Sequence, residues 1–287
     1  TMSANQQSAN QQSVIHRSAT HKPVRSQPGM FLRAAATSLL ALALNIAVLE
    51  TPAFADAHPD QALPPPTPYS AQYQARSMGM RTGAYRELTL QQDNTYELRH
   101  GLSLKLLGAT LISVEERSHF QWSDGGAIPL DYRYEQGGVR SRDEQISFNW
   151  DAGTASITRN GNQREAELLA GMLDNLSFTA QMSAELLRLT QQQALDVSGT
   201  SLTFTLMESN ETDTQEYAVI GTETLSTDIG EIETVMLERV RDPSSERSTI
   251  FWLATDYEYT LARLEQTESN GTRTELMLES IELKPSP

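Results

Sequence analysis

The chain has 287 residues, no cysteine, and 37 acidic against 22 lysine and arginine side chains, so its formal net charge is −15. A chain without cysteine has no structural disulfides and no thiol chemistry. The acidic balance argues against nucleic acid as a partner, and against attachment to an anionic membrane by charge alone, because both need basic patches.

An export signal is predicted near the start of the chain. An apolar run at 39–49 follows Arg33 and precedes the small-x-small sequence Ala-Phe-Ala at 53–55. The run is too short for a confident membrane span and fits a signal peptide over residues 30–55, cleaved after Ala55. Residues 1–29 are then either upstream sequence or an unusually long n-region before Met30. We expect an acidic periplasmic protein of the cell envelope, with no membrane span after cleavage.

The mature chain is predicted to be one β-rich domain behind a linker. Residues 56–68 end in Ala-Leu-Pro-Pro-Pro-Thr-Pro, which indicates an extended, mobile linker. From residue 69 to residue 284 apolar and polar side chains alternate with period two in segment after segment, as in half-buried strands. Short turns between the segments favour a mainly β fold, an antiparallel sheet of roughly ten strands with one apolar face each.

One stretch, residues 171–189, has the period of a helix instead. On a helical wheel Leu173, Leu176 and Ala184 lie on one apolar stripe, while Phe178, Met182 and Leu186 lie on a second, nearly opposite stripe. A helix that is apolar on two sides needs a concave partner. We therefore predict a curved sheet, a half-barrel, wrapped around this central helix, with Asp174 as its N-cap. The alternative is a plain core helix on a flat sheet.

Catalytic motifs are absent from the sequence. The mature histidines are His58, His100 and His119, without the spacing of a zinc site, and no nucleophile elbow, phosphate loop or dinucleotide fingerprint occurs. We expect no metal, no cofactor and no enzyme activity. One polar pair stands out: a three-residue loop at 107–109 would place His100 directly opposite Glu116 on adjacent strands. The pair is either a polar contact in a ligand cavity or a satisfied core contact.

Eight short stretches resemble an exported, mostly proteobacterial family known as domain of unknown function 3108. They lie at 116–122, 129–134, 147–150, 172–177, 221–225, 229–230, 251–256 and 261–266. The resemblance spans about residues 69–282, and Thr255 departs from it where the family pattern has proline. It implies no activity. At the level of shape, a curved sheet around a helix is similar to the periplasmic lipoprotein carriers, which is an analogy of fold only.

The leading functional hypothesis is binding of a hydrophobic or amphiphilic ligand, such as a lipid, an acyl chain or a lipoprotein segment, between sheet and helix. The side chains predicted to line the site are His100, Glu116, Leu173, Leu176, Phe178, Met182, Leu186 and Trp252. A second hypothesis is a structural or interaction module of the envelope with a fully packed core. A third is a hydrolase of envelope glycans or lipids, for which Glu116 and His100 are the only candidates.

Overall fold

The computed structural model describes residues 62–106, 109–138, 141–196, 199–208 and 211–284. All of them belong to one compact unit, Ala57–Pro287. The predicted signal peptide at 30–55, its cleavage site, residues 1–29 and the first part of the linker, 56–61, lie outside the described residues. The β-rich domain predicted from residue 69 onwards lies within them.

The described residues form fourteen β-strands and one α-helix, with a short 3-10 turn at Thr255–Tyr257. The strands are β1 Tyr69–Ser77, β2 Met80–Leu90, β3 Tyr96–Leu106, β4 Ala109–Ser123, β5 Gly126–Gly138, β6 Arg142–Asn149, β7 Thr154–Arg159, β8 Asn162–Glu167, β9 Ser201–Met207, β10 Thr212–Thr227, β11 Gly230–Arg239, β12 Ser248–Ala254, β13 Thr260–Thr267 and β14 Arg273–Leu283. The helix, α1, is Ser177–Gln191. The mainly β class with a central helix is confirmed, with fourteen strands where the sequence suggested roughly ten.

All fourteen strands belong to one antiparallel sheet that is not closed into a barrel. Neighbours in the sheet follow the order β8-β7-β6-β5-β4-β3-β2-β1-β14-β13-β12-β11-β10-β9. Most neighbours are consecutive in the chain and form hairpins. The exception is the central pair, in which Tyr69 of β1 is opposite Leu283 of β14. The first and last strands of the chain, β1 and β14, therefore lie at the middle of the sheet. The helix α1 connects the two edge strands, β8 and β9.

Irregularities in the strand pairing accompany the curvature of the sheet. The register shifts within β1–β14, β3–β4, β4–β5, β10–β11 and β12–β13. A bulge adds one residue to one strand, bends it and increases the local twist. Bulges distributed over the whole sheet let its apolar face curve around α1.

The helix begins later than the sequence predicted. Leu173 forms a parallel bridge to Leu206 of β9, with its N–H donating to the Thr205 carbonyl oxygen at 2.9 Å. This pairing takes residues 171–173 out of the helix, because an unpaired sheet edge supplies stronger hydrogen-bond partners than a first helical turn. Asp174, expected as the N-cap, still serves the helix end: its carboxylate accepts the N–H groups of Leu176 and Ser177, both at 2.8 Å.

The helix is covered on all sides, as its two apolar stripes predicted. Every side chain from Ser177 to Leu189 is buried or half-buried. Met182 and Leu186 are 1% and 0% exposed, and Ala180 and Ala184, on the other side, 8% and 4%. Burying a large side chain such as Met182 or Leu186 contributes roughly 1.5–3 kcal/mol to the free energy of unfolding. The helix is thus a central part of the core and not a lid on the surface.

The described part of the linker packs against the domain. Leu63 is buried, its N–H donates to the Asp124 carbonyl oxygen at 2.8 Å, and its own carbonyl accepts Trp122 Nε1–H at 3.2 Å. At the other end, the Lys284 N–H donates to the Pro68 carbonyl oxygen at 2.7 Å. Residues 62–68 of the predicted linker therefore pack against the domain, and the mobility of the linker stays a prediction. We call residues 63–68 the strap.

Candidate ligand site between helix and sheet

A small cavity of about 40 Å³ lies between α1, the inner face of the sheet and the strap. Its walls are mostly apolar, and the strap closes one side with residues 64–67, three of them proline. The helix contributes Ala180, Met182 and Ala184, and the sheet contributes Leu88 and Leu98. Pockets that hold small ligands measure about 300–1,000 Å³, so a cavity of this volume has room for no more than a few atoms while the strap is in place.

One positively charged side chain, Arg86, reaches this mostly apolar space. Arg86 lies on β2 in the same phase as Leu88 and is 8% exposed. Its Nε–H donates to Tyr69 Oη at 2.9 Å, and its Nη2–H donates to Thr179 Oγ1 in the first turn of α1. Both partners are neutral hydroxyls. The alternation along β2 that turns Leu88 toward the core also turns Arg86 toward the core. This alternation could have predicted the buried position of Arg86 from the sequence.

The structure confirms that His100 and Glu116 are directly opposite each other on β3 and β4. The reason differs from the one predicted: Leu106 pairs with Ala109, and a register shift between Leu104 and Lys105 restores the pairing of the inner positions. The two side chains make their hydrogen bonds elsewhere. His100 Nδ1 lies 3.1 Å from the Tyr85 carbonyl oxygen, and Glu116 Oε1 accepts the Tyr132 hydroxyl at 2.5 Å.

Burial moves both groups toward their neutral forms. Desolvation raises the pKa of Glu116 to about 7, although the Tyr132 hydroxyl and the Arg86 charge act in the opposite direction. Desolvation, followed by the Arg86 charge, lowers the pKa of His100 to about 4. A neutral imidazole that donates to a main-chain carbonyl has a structural role. The pair therefore makes no direct hydrogen bond, and each side chain is bonded to a different partner.

A second polar group lies where the helix begins. Ser118 donates to the Asp174 carboxylate at 2.6 Å, and both residues are fully buried. Burial raises the pKa of Asp174, and the hydrogen bonds from Ser118 and from the first helical N–H groups oppose that shift. With Arg86, His100, Glu116 and Tyr132, these side chains make the inner face of β2–β5 polar beside α1.

The remaining predicted lining residues lie at different places. Met182 lines the cavity. Leu173, Leu176 and Leu186 are buried in the core, and Phe178 packs on three rings described below. Trp252 is on the other face of β12: Phe251 faces α1, whereas the Trp252 ring lies under the Arg263 guanidinium at 4.4 Å, and its Nε1–H donates to Glu223 at 2.7 Å.

The rings form a compact cluster around the helix start. Phe178 of α1 contacts Phe204 of β9, Tyr217 of β10 and Phe251 of β12, with ring centroids 5.8–6.3 Å apart. Aromatic pairs at these separations add about 0.5–1.5 kcal/mol each beyond the burial of their area. The inner face of β9–β12 therefore holds α1 by packing.

Within the described ranges of the chain, no group of three or more His, Asp or Glu side chains is arranged to hold a metal ion. None of the helices in that part of the chain has the length and apolar character needed to cross a bilayer.

Comparison with known proteins identifies a family and several similar folds. The profile of a family described as "Protein of unknown function (DUF3108)" matches residues 69–279. A β-barrel-like DUF1849 protein from Brucella abortus has a TM-score of 0.49 at 10% identity, covering 77% of this chain and 99% of that chain. A Bacteroides fragilis protein described as exported, with a YmcC-like fold, has a TM-score of 0.33 at 12% identity, with the same coverage.

A third similar structure is a complex. In the MucA/MucB complex of Pseudomonas aeruginosa, the matching chain has a TM-score of 0.34 at 10% identity, covering 77% of this chain and 53% of that chain. A search among curated proteins finds no match. At these scores the similarities carry no argument about what this chain binds.

Proposed function

The chain belongs to the DUF3108 family, a family of unknown function, and we propose that it is a non-catalytic periplasmic protein that binds one acyl chain between α1 and the inner face of the sheet. The observation that carries the proposal is the apolar cavity that the strap covers. The export signal predicted at 30–55 supports the compartment.

The strap is suited to moving aside. Its two ends are held by main-chain hydrogen bonds, at Leu63 and at Pro68, while the span between them contains three prolines that have no N–H to donate. Few hydrogen bonds must break for this span to leave the cavity. A segment with few such bonds opens locally at a small free-energy cost, without unfolding the domain.

Displacing the strap enlarges the space by the volume of the residues that cover it. The walls that remain are apolar and include Met182, whose flexible thioether adapts to different chains. In the closed state the prolines occupy the place that we assign to the acyl chain. The strap thus keeps an apolar surface from water until a ligand replaces it.

The first test is the lipid content of the native protein. Protein purified from its own periplasm is denatured, extracted, and analysed by mass spectrometry for long-chain lipids. In a second measurement, the neutral dye N-phenyl-1-naphthylamine is titrated into delipidated protein and then displaced with a long-chain fatty acid. We expect co-purified lipid and one saturable, displaceable dye site. Protein that carries no lipid and shows no saturable site would reject the proposal.

A cavity-filling variant links binding to this location. Ala184→Phe adds a ring at a buried position that lines the cavity, and Gln191→Phe adds the same ring at an exposed position on the same helix. We expect dye affinity to fall about tenfold or more for Ala184→Phe, because filling the site excludes the ligand, and to stay unchanged for Gln191→Phe. Circular dichroism establishes that both variants fold.

One observation favours a second function, that of an envelope interaction module. Apart from the cavity of about 40 Å³, the helix is closely covered, with Met182 and Leu186 almost fully buried. A rigid module would show the same melting temperature with and without saturating fatty acid, whereas a ligand that binds only the folded state raises it. An unchanged melting temperature together with lipid-free native protein would favour the module.

A further inference from the structure

Arg86 is a buried cation that forms no direct ion pair, although the Glu116 carboxylate lies close enough to act on it electrostatically. Its guanidinium is in the protein interior, 8% exposed, and donates to the hydroxyls of Tyr69 and Thr179. Within the described ranges of the chain, it takes part in no salt bridge. Buried arginines are normally paired, because moving a cation out of water is unfavourable unless a negative charge compensates for it.

The carboxylates near Arg86 are already held by other groups. Glu116 accepts the Tyr132 hydroxyl at 2.5 Å. Asp174 accepts Ser118 and the N–H groups of the helix start. Two hydroxyls occupy two of the five guanidinium N–H donors, and neither brings a negative charge. The site therefore has a cation in place at the edge of a mostly apolar cavity, and no carboxylate of the described residues is hydrogen-bonded to it.

We propose that Arg86 binds the anionic head of the ligand, a carboxylate or phosphate oxygen, while the acyl chain occupies the space under the strap. The inference rests on the proposed function, since it assigns the head of the same ligand. Arginine is suited to this role because its planar fork matches the geometry of carboxylate and phosphate.

The layout of the cavity fits an amphiphile with its head at one end. Arg86 contacts Thr179 in the first turn of α1, where the helix dipole is positive and favours an anion. Apolar lining residues, Ala180 and Ala184, follow along the helix. Glu258 also lines the cavity, but it is near the next turn, where Ser183 donates to the Tyr259 carbonyl at 2.8 Å. The acidic group is thus separated from the cation along the helix.

The decisive experiment compares matched probes on the unaltered protein. A long-chain fatty acid, the uncharged alcohol of the same chain length, and inorganic phosphate are each titrated against the bound dye. We expect the acid to bind about tenfold to hundredfold more tightly than the alcohol, the range for one charge-assisted hydrogen-bonded pair. A lysophospholipid in the same assay tells whether a phosphate head is preferred over a carboxylate.

Variants assign the preference to Arg86. Arg86→Met removes the charge and keeps an apolar stem, and Arg86→Lys keeps the charge without the fork. Arg99→Met is the matched control, because Arg99 is exposed on the neighbouring strand, where it faces Glu87. We expect the preference for acid over alcohol to disappear in Arg86→Met, to persist in weakened form in Arg86→Lys, and to be unchanged in Arg99→Met.

The possible results separate the two proposals. If acid and alcohol bind the unaltered protein equally well, the role of Arg86 is overturned while acyl-chain binding stands. If neither binds, both proposals fail. If phosphate alone displaces the dye as well as the lipids do, the site is a plain anion site and the acyl-chain proposal fails. Because the acid–alcohol comparison uses unaltered protein, it decides the question even if Arg86→Met does not fold.

Discussion

The two arms of the sheet hold the same helix by different means. The inner face of β9–β12 presents Phe204, Tyr217 and Phe251, and Phe178 of α1 packs against these three rings. The inner face of β2–β5 presents charged and hydroxyl groups beside the same helix, Arg86 and Glu116 among them. Packing of rings depends little on pH or on ligands, whereas buried polar groups depend on both. One arm therefore supplies stability that varies little with pH, and the other carries the buried charged groups whose contribution changes with pH.

We call β9–β12 the ring arm and β2–β5 the polar arm. A substitution in the ring arm should cause the largest loss of stability. Phe251→Ala removes a ring that contacts both Phe178 and Tyr217, and we expect the free energy of unfolding to fall by about 3–5 kcal/mol. The adjacent Ile250 is half-buried on the other face, and Ile250→Ala should cost about 1 kcal/mol. Urea unfolding at several pH values measures both. Equal losses for the two variants would contradict the assignment of the core to this face.

The polar arm should lose less, through a different mechanism. Asp174→Ala leaves the Ser118 hydroxyl and the N–H groups of Leu176 and Ser177 without their acceptor. We expect a loss of about 2 kcal/mol, because buried donors then lack partners. Asp174→Asn keeps one acceptor oxygen and should cost about half as much. If Asp174→Ala were as stable as the wild type, the helix start would not depend on this carboxylate.

Glu116 should give the polar arm its own pH dependence. Its pKa is raised from 4.5 to about 7, so the folded state holds the proton more tightly than the unfolded state does. The protonated Glu116 side chain contributes its full stabilisation below pH 4.5, and this contribution is lost as the pH rises to about 7. Relative to Glu116→Gln, the wild type should therefore lose on the order of 1–3 kcal/mol between pH 5 and 8. Urea midpoints across that range measure the difference.

Two variants check the origin of that slope. Glu165→Gln changes an exposed carboxylate on β8 and should leave the slope as in the wild type. His100 should act in the opposite direction: relative to His100→Gln, the wild type should gain stability as the pH rises from 4 to 6.5. Because the pKa of His100 falls from 6.5 to about 4, its contribution is complete above pH 6.5 and is lost as the pH falls toward 4. If Glu116→Gln kept the wild-type dependence of stability on pH, another titratable group would be responsible for it.

The smallest effect on stability should come from the strap. Leu63→Ala weakens the apolar anchor that precedes the prolines, and we expect a loss of about 1 kcal/mol, because the strap detaches without the domain unfolding. The same variant should bind the neutral dye more tightly, since less free energy is spent on opening the site. A variant that is less stable and also binds less tightly would contradict the role of the strap as a displaceable cover.

Sequence reasoning succeeded where a pattern has a clear phase. The alternation in β3 placed Leu98 and His100 inside, and the two stripes of the helix implied cover on both sides. It failed where the phase is ambiguous: residues 251–254 are all apolar, so no alternation tells that Trp252 faces away from α1. A bulge between Trp252 and Leu253 then breaks the period.

Other features depend on contacts between distant segments. The bridge between Leu173 and Leu206 shortens the helix and joins positions that are separated in the chain by the whole of α1 and the loop that follows it. The packing of the strap depends on the turn after β4, where Asp124 accepts the Leu63 N–H. Arg86 could have been found, because it shares the phase of Leu88, but the absence of a direct ion pair is visible only in three dimensions.

The pairing of β1 with β14 has a consequence for how the chain could be rewired. The Lys284 N–H bonds the Pro68 carbonyl, so both ends of the sheet-forming chain meet at its centre. Joining these ends and cutting between β8 and α1 would give a circular permutant in which every pair of neighbouring strands is consecutive. The pairing of the first strand with the last, Tyr69 with Leu283, would become an ordinary hairpin. With that long loop closure gone, the permuted chain should fold faster into the same sheet, with the helix as its first element.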